Sequence, residues 1–244
     1  MIVYGKNVFS QLQEDPSQIL EIYVQDGFRD KKILASVFKN KLKSSTVSKA
    51  YLDRLTERGI HQGIAARVKE IPMLSVSELL ARAPEGGNGF YLALDEIQDP
   101  HNLGAIFRTA DAAGVNGIVM TKHNSASFTP AAIKASTGAA YTVPAAAVAN
   151  LSQTIDEFKE NGYWVVAADV ENAREYRQGI YDVPLLLVIG NEGKGISRNV
   201  RKHCDYSVSI PMYGSVQSLN ASVAAGILMF EAAGQRHPLE AKTK

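Results

Sequence analysis

Three observations predict an α/β protein built on a mostly parallel sheet and preceded by a smaller α/β unit. From Phe90 onward, short apolar runs alternate with helical stretches. A connector containing proline and several glycines separates this region from the preceding one. The charge balance changes sign across the same boundary: residues 1–71 carry 12 Lys/Arg against 8 Asp/Glu, net +4, and residues 72–244 carry 14 against 17, net −3. The expected division is therefore a small unit at 1–71, a linker at 72–88 and a large unit at 89–244.

In the small unit, apolar periodicity predicts a helix near 7–14, a strand over 19–25 and a helix near 30–39. A strand near 44–47, a helix over 48–57 and an alternating strand within 63–71 follow. Pro72 and the segment APEGGNG bracket a short helix near 75–83. In the large unit the runs FYLALD, GIVMT, YWVVAADV, LLLVIG and YSVSIP are too short for helices and apolar at successive positions, as expected of strands buried on both faces. Helices are expected between them near 102–113, 130–135, 152–161 and 197–203, with a last one over 219–234. The Ala-rich segment PAAAVA reads only as a low-complexity patch.

Composition excludes several classes. The single cysteine, Cys204, leaves no internal disulfide, and the five histidines fall into no metal-ligand spacing. No apolar signal core opens the chain, and no window approaches the roughly 20 apolar residues that span a bilayer. The expectation is a cytoplasmic protein with neither metal nor membrane partner. Between positions 29 and 49, Arg29, Lys31, Lys32, Lys39, Lys41, Lys43 and Lys49 face only Asp30. Such a cluster suits either RNA phosphates or a solvated helix face.

Three segments carry candidate chemistry. In LDEIQDPHNLGAIFRTADAAGV, Asn102 is placed to cap a helix whose apolar stripe is Leu103, Ile106, Phe107, Ala110 and Gly114, with Arg108 off the stripe. His101 is the residue type that usually serves as a base near neutral pH, but it is not assigned that role. In LLLVIGNEGKGIS, Gly190, Gly193 and Gly195 allow close backbone approach to a ligand. The spacing matches neither a phosphate loop nor a dinucleotide fingerprint, so a nucleotide-dependent oxidoreductase is disfavoured. Glu192 inside this turn could bind a cation, a hydroxyl or an arginine. In IPMYGSVQSLNASVAAGILMFEAA, Ser218 is a candidate N-cap, and Asn220 lies two positions into an otherwise apolar helix. Burying Asn220 unpaired costs about 1–3 kcal/mol, which predicts a specific polar partner. The small residues of that helix permit close approach of another helix, from the same chain or a second subunit.

Taken in order, NLGAIFRTADAAG, IGNEGKG and SLNASVAAGILMFE resemble the three motifs of the SpoU (TrmH-like) family of RNA ribose 2′-O-methyltransferases, with similarity over residues 90–233. YGKNVF and HQGIAARV resemble the L30e-like substrate domain of its RlmB-type branch, which methylates a guanosine ribose in 23S rRNA. The resemblance implies a SPOUT-type domain with a C-terminal trefoil knot, S-adenosylmethionine as cofactor, RNA as substrate, and a homodimer through the last helix with active sites assembled from both subunits. By motif position it assigns Asn102, Arg108, Glu192 and Asn220 to catalysis and substrate handling. Gly190, Ile210 and Leu219 are assigned to the cofactor, with Thr137 and Gly138 as further contacts. The family's motif-one arginine, Arg108 here, has been assigned as the base; a permanently cationic guanidinium serves equally as a clamp on an RNA phosphate that steadies the developing alkoxide. Methylation of tRNA or of another rRNA site, and a non-catalytic role in ribosome assembly, are the competing readings.

Overall fold

The structure, a computed structural model, describes residues 1–13 and 16–238. The small unit runs β1 (Ile2–Tyr4), α1 (Lys6–Leu12), β2 (Ile19–Gln25), α2 (Lys31–Lys39), β3 (Ser44–Val47), α3 (Lys49–Leu55) and β4 (Ile64–Val68). Its sheet has the order β1-β4-β2-β3, with β4 antiparallel to both neighbours and β3 parallel to β2. Asp30 and Ser48 are the N-caps of α2 and α3, accepting from the Ile33 and Tyr51 amides, so these two helices begin where their capping residues dictate. The expected end of the first helix at Glu14 lies outside the described residues.

The large unit adds β5 (Met73–Leu74), α4 (Val76–Leu80), β6 (Phe90–Leu94), α5 (Pro100–Ala112), β7 (Gly117–Thr121), α6 (Pro130–Ser136), α7 (Ala139–Thr142) and β8 (Ala145–Val148). It continues with α8 (Leu151–Glu160), β9 (Trp164–Ala168), β10 (Arg174–Glu175), β11 (Leu185–Ile189), α9 (Arg198–His203), β12 (Tyr206–Ser209) and α10 (Ala221–Arg236). Its eight strands lie in the order β10-β12-β9-β11-β6-β7-β8-β5 and pair in parallel throughout. The doubly apolar strands explain this architecture directly. Phe90, Leu92 and Leu94 of β6 and Leu185, Leu187 and Ile189 of β11 enter one core with α5 and α10. Tyr91, Ala93, Leu186 and Val188 enter a second core on the other face with α8 and α9. Every side chain of these two strands is buried.

Two expectations need correction. The segment 72–88 is not wholly a linker: β5 pairs with β8 at the sheet edge, and Leu79 of α4 is fully buried in the second core. The patch PAAAVA is a strand, β8, because small side chains fit where neighbours come close. A Cβ on Gly117, one strand away, would lie 2.5 Å from Leu79 Cδ1 and 3.2 Å from the Pro144 carbonyl. The two units also share packing. Ile133 of α6 belongs to the core formed by Val8, Ile22, Ile64 and Val68 of the small unit.

Gly104 shows how closely α5 and α6 are set: a Cβ there would lie 2.2 Å from the Ala132 carbonyl oxygen and 2.6 Å from the Ala135 Cβ. Gly104→Ala is expected to lower unfolding free energy by about 1–3 kcal/mol through overpacking. Gly234→Ala, where nothing lies within 4 Å of the added carbon, is expected to cost nothing. Chemical denaturation of the two variants checks the pair.

Candidate active site

The large sheet reverses its winding at β6 and β11, and crevices outside strand C-termini at such a point are the usual ligand sites of parallel sheets. Three chain segments converge there. After β6, the Asp95 carboxylate accepts from the Ser197 amide at 2.7 Å, fixing the start of α9. After β11, the turn 190–195 closes on itself, with Asn191 and Gly195 exchanging backbone hydrogen bonds of 3.0 Å in both directions. The Asn191 side chain completes the turn: Nδ2 donates to the Glu96 carbonyl at 2.7 Å, and Oδ1 accepts from the Gly193 and Lys194 amides at 2.9 and 3.1 Å. Gly190 is required by proximity, since a Cβ would lie 2.3 Å from both the Gly195 carbonyl carbon and the Ile196 nitrogen.

The turn so built presents Glu192 to the first turn of α5. Asn102 Nδ2 donates to Glu192 Oε1 at 2.8 Å, and Asn102 Oδ1 accepts from Asn220 Nδ2 at 2.9 Å. Asn102 is 6% exposed, and its amide is used on both sides. It is not the N-cap. Asp99 caps α5 through the His101 amide at 2.8 Å, and Pro100 occupies the first turn, where a missing N–H costs nothing. Asn102 is thereby freed to point sideways. The expected cap of the last helix is likewise displaced from Ser218: Asn220 caps α10, its Oδ1 accepting from the Ser222 and Val223 amides at 2.9 and 3.3 Å. The expected polar partner of Asn220 is Asn102, although Asn220 itself is exposed. His101 is exposed.

Beside this bridge opens a cavity of ≈ 680 Å³, lined by Gly190, Glu192, Ile210 and Leu219, with Ile189 and Leu228 adding apolar wall. Asp169, at the end of β9, also lines it, together with Glu171 and Arg201, which the sequence reading did not select. Arg201 donates to the Asp169 carboxylate at 3.2 Å and lies 2.7 Å from that of Glu171. Asn191 was missed as well. An asparagine two residues before a glycine in a tight turn was the available signal.

Arg108, Thr137 and Gly138 are not brought to this cavity within the chain. They line a second one of ≈ 300 Å³ at the junction of the two units, with Val8 and Leu12 of α1 and with Tyr141. The cause is helical geometry: six residues along α5 carry Arg108 about 240° round the axis from Asn102. Thr137 and Gly138 turn the chain out of α6 with φ of 50° and 95°. Arg108 is exposed and makes no hydrogen bond or ion pair among the described residues. The Tyr141 hydroxyl is buried without a partner, and burial pushes its pKa up to about 12. Among the described residues no cluster of three His, Cys, Asp or Glu could hold a metal, and no helix is long and apolar enough to cross a membrane.

A parallel sheet with a ligand-sized cleft at its winding reversal, joined to a small basic unit, defines a two-unit α/β protein with an enzyme-type site. Comparison with known proteins specifies the class. The model of the SpoU rRNA Methylase family matches residues 89–230, and that for RNA 2′-O ribose methyltransferase substrate binding matches residues 2–74. A Staphylococcus haemolyticus protein assigned by name to the TrmH family of tRNA/rRNA methyltransferases is 41% identical, over 97% of this chain and 96% of its own. YacO of Bacillus subtilis, assigned by name to the same family, is 39% identical over 97% and 96%. Among solved structures, the SpoU methyltransferase AviRb from Streptomyces viridochromogenes, in complex with AdoMet, aligns with a TM-score of 0.79 at 26% identity, covering 97% of this chain and 90% of that one. An AdoMet-bound rRNA methyltransferase from Sinorhizobium meliloti aligns with a TM-score of 0.74 at 26% identity, over 95% and 85%. The chain belongs to the SpoU/TrmH family of RNA methyltransferases.

The double role of Asn220 can be separated. Asn220→Ala removes both the cap and the bond to Asn102 and is expected to lower stability by about 1–2 kcal/mol. Asn220→Asp keeps a capping oxygen but leaves the buried Asn102 Oδ1 without its donor, so it is expected to lose less stability than Asn220→Ala by the worth of the cap, about 0.5–1 kcal/mol. Equal losses in urea denaturation would assign the stabilisation to the bridge instead of the cap.

Proposed function

We propose that this protein transfers a methyl group from S-adenosylmethionine to the 2′-hydroxyl of a ribose in RNA, at a guanosine of 23S rRNA, working in the cytoplasm as a homodimer. The observation that carries the reading is the Glu192–Asn102–Asn220 bridge, whose Glu192 lines the ≈ 680 Å³ cleft. The cleft suits this cofactor. Ile210, Leu219 and Leu228 offer an apolar slot for the adenine, and the turn that begins at Gly190 brings bare backbone to the wall. Glu192, and Asp169 in its pair with Arg201, would hold the cofactor's cationic groups by charge. When bound, the cofactor supplies an electrophilic methyl group.

The residues of the chain supply position and charge. Displacement at a methyl carbon needs the nucleophilic oxygen in line, so rigid placement provides much of the acceleration. Asn102 holds Glu192 and Asn220 in one arrangement, and this fixes the face offered to the ribose. Arg108 would act as a cation that grips the RNA phosphate and steadies the developing alkoxide, the hydroxyl proton passing to water as the new O–CH3 bond forms, the methyl–sulfur bond breaks and the neutral thioether leaves. The separation of Arg108 from the cleft within one chain supports a site completed by a second subunit. Helix α10 is suited to that contact: Val223 and Phe230, 50% and 54% exposed, flank Gly226 and Ile227 on an unpaired apolar stripe. We also propose that the turns lining the cleft, 190–197 and 210–220, are the loops of a trefoil knot, as the family resemblance implies. The small unit, with its mixed four-stranded sheet, serves as an L30e-like RNA-holding domain.

Calorimetry is expected to show one S-adenosylmethionine bound per chain; no heat at millimolar cofactor sinks the proposal. Arg108→Ala should leave that binding within about twofold while lowering methyl transfer by roughly 100-fold or more. Co-expressed Arg108→Ala and Glu192→Ala chains should regain activity that neither has alone, because a mixed dimer holds one intact composite site. Absence of any regain would place Arg108 and Glu192 in the same subunit's site. Mapping of 2′-O-methyl groups in rRNA from cells lacking the protein identifies the nucleotide.

A further inference from the structure

Helix α2 buries Ile33 and Val37 and turns its opposite face to water. On that outer face stands Phe38, 87% exposed, with Leu34, 38% exposed, one turn before it. Lys31 lies two turns before Phe38 on the same face, and Lys39 follows it directly. All four belong to the basic stretch 29–49, and the structure refines what that stretch has free. Lys43 lies 3.5 Å from the Glu21 carboxylate, and Asp30 is engaged by Lys6 at 3.1 Å. Arg29, Lys31, Lys32, Lys39, Lys41 and Lys49 form no ion pair among the described residues. A solvated helix face accounts for the lysines but not for a phenyl ring held in water at their centre.

We propose that Phe38, with Leu34 beside it, is a stacking platform for an unpaired base of the RNA substrate, and that Lys31, Lys39 and Lys41 hold the flanking phosphates. The proposal rests on the small unit's being an RNA-holding domain and names the residue by which it distinguishes looped RNA from duplex. An aromatic ring on a convex helix reaches only a base already splayed out of a helix, which is how single-stranded loops are commonly recognised. A duplex would meet the lysines and leave the ring unused. A protein partner fits less well, because lysine is depleted from the centres of protein interfaces whereas here Lys31, Lys39 and Lys41 flank the aromatic residue along the helix and just beyond it.

The test uses the whole chain and three fluorescent probes: an in vitro transcript of 23S rRNA, a stem-loop RNA, and a full duplex carrying the stem-loop's sequence. Phe38→Ala is expected to weaken binding to the transcript and the stem-loop by roughly 10-fold, to leave duplex binding unchanged, and to leave the slope of log affinity against log salt unchanged. Lys39→Gln with Lys41→Gln should reduce that slope for every probe. Phe38→Trp should retain affinity and show tryptophan emission quenched by the stem-loop but not by the duplex, over and above the signal of Trp164 in the parent. Wild-type affinity of Phe38→Ala for the stem-loop, or equal loss on duplex, overturns the platform. If the lysine variant also binds all probes as the parent does, the RNA-holding role of this face fails with it. Phe38→Ala that binds RNA normally but lowers self-association in sedimentation would assign the ring to a protein contact and equally overturn the proposal. Cofactor calorimetry should be unchanged in all these variants, which separates loss of RNA contact from misfolding.

Discussion

The carboxamide of Asn102 is the group on which the site depends. It is the one side chain that meets both other polar motifs, donating to Glu192 across 90 residues and accepting from Asn220 across 118. A carboxylate could not donate to Glu192, and an ammonium could not accept from Asn220; a planar amide does both at once. The arrangement also sets a carboxylate against the first turn of a helix, where unsatisfied N–H groups favour negative charge. Because Asn102 is buried, losing either partner leaves a buried amide atom unsatisfied, which is costly. Three segments far apart in the chain thus share one geometry.

What delivers those segments is the sheet. Because β6 and β11 are apolar on both faces, helices cover them on both sides, and the polar turns can emerge only at their ends. The same rule sends Arg108 elsewhere. Leu103, Ile106, Phe107 and Ala110 commit one side of α5 to the core, and Asn102 and Arg108 leave its remaining surface in different directions. A single α5 therefore serves two clefts, and this division is the structural ground for reading the site as a composite of two subunits.

The fold was legible because its signals are local. Apolar runs marked β2, β6, β7 and β11, and periodicity marked α2 and α3 to within a residue or two, their caps Asp30 and Ser48 becoming evident only in the structure. Strand β8 was not legible, since Ala145–Val148 carries little of the bulk that usually marks a strand, and its identity comes from its pairing with β7 on one side and β5 on the other. Nor was β5, two residues long and fixed only by its pairing with β8. In the site, Glu192 and Asn220 stood out as polar residues in glycine-bearing or apolar surroundings; a partner for Asn220 was expected from the cost of burying it, but Asn220 is exposed at the cap of α10, and it is Asn102 that is buried. That the partner is Asn102 is a fact of tertiary structure. Local spacing favoured Asn102 as a cap, and only the presence of Asp99 one turn earlier releases it. Arg201 and Asp169 were invisible for a related reason: β9 and α9 are brought together only when the sheet is assembled.

Ile133 gives the two-unit division a different meaning. Its side chain lies in the interior of the small unit, yet it is carried by α6 of the large one, whose neighbour across Gly104 is α5. Residues 1–71 excised alone would lack part of their own hydrophobic filling and expose the surface that α6 covers. The small unit is thus less a tethered hand than a limb with its joint packed in oil-like contact. A displacement of the small unit must therefore disturb α6 and, through the close contact at Gly104, the helix that carries both Asn102 and Arg108.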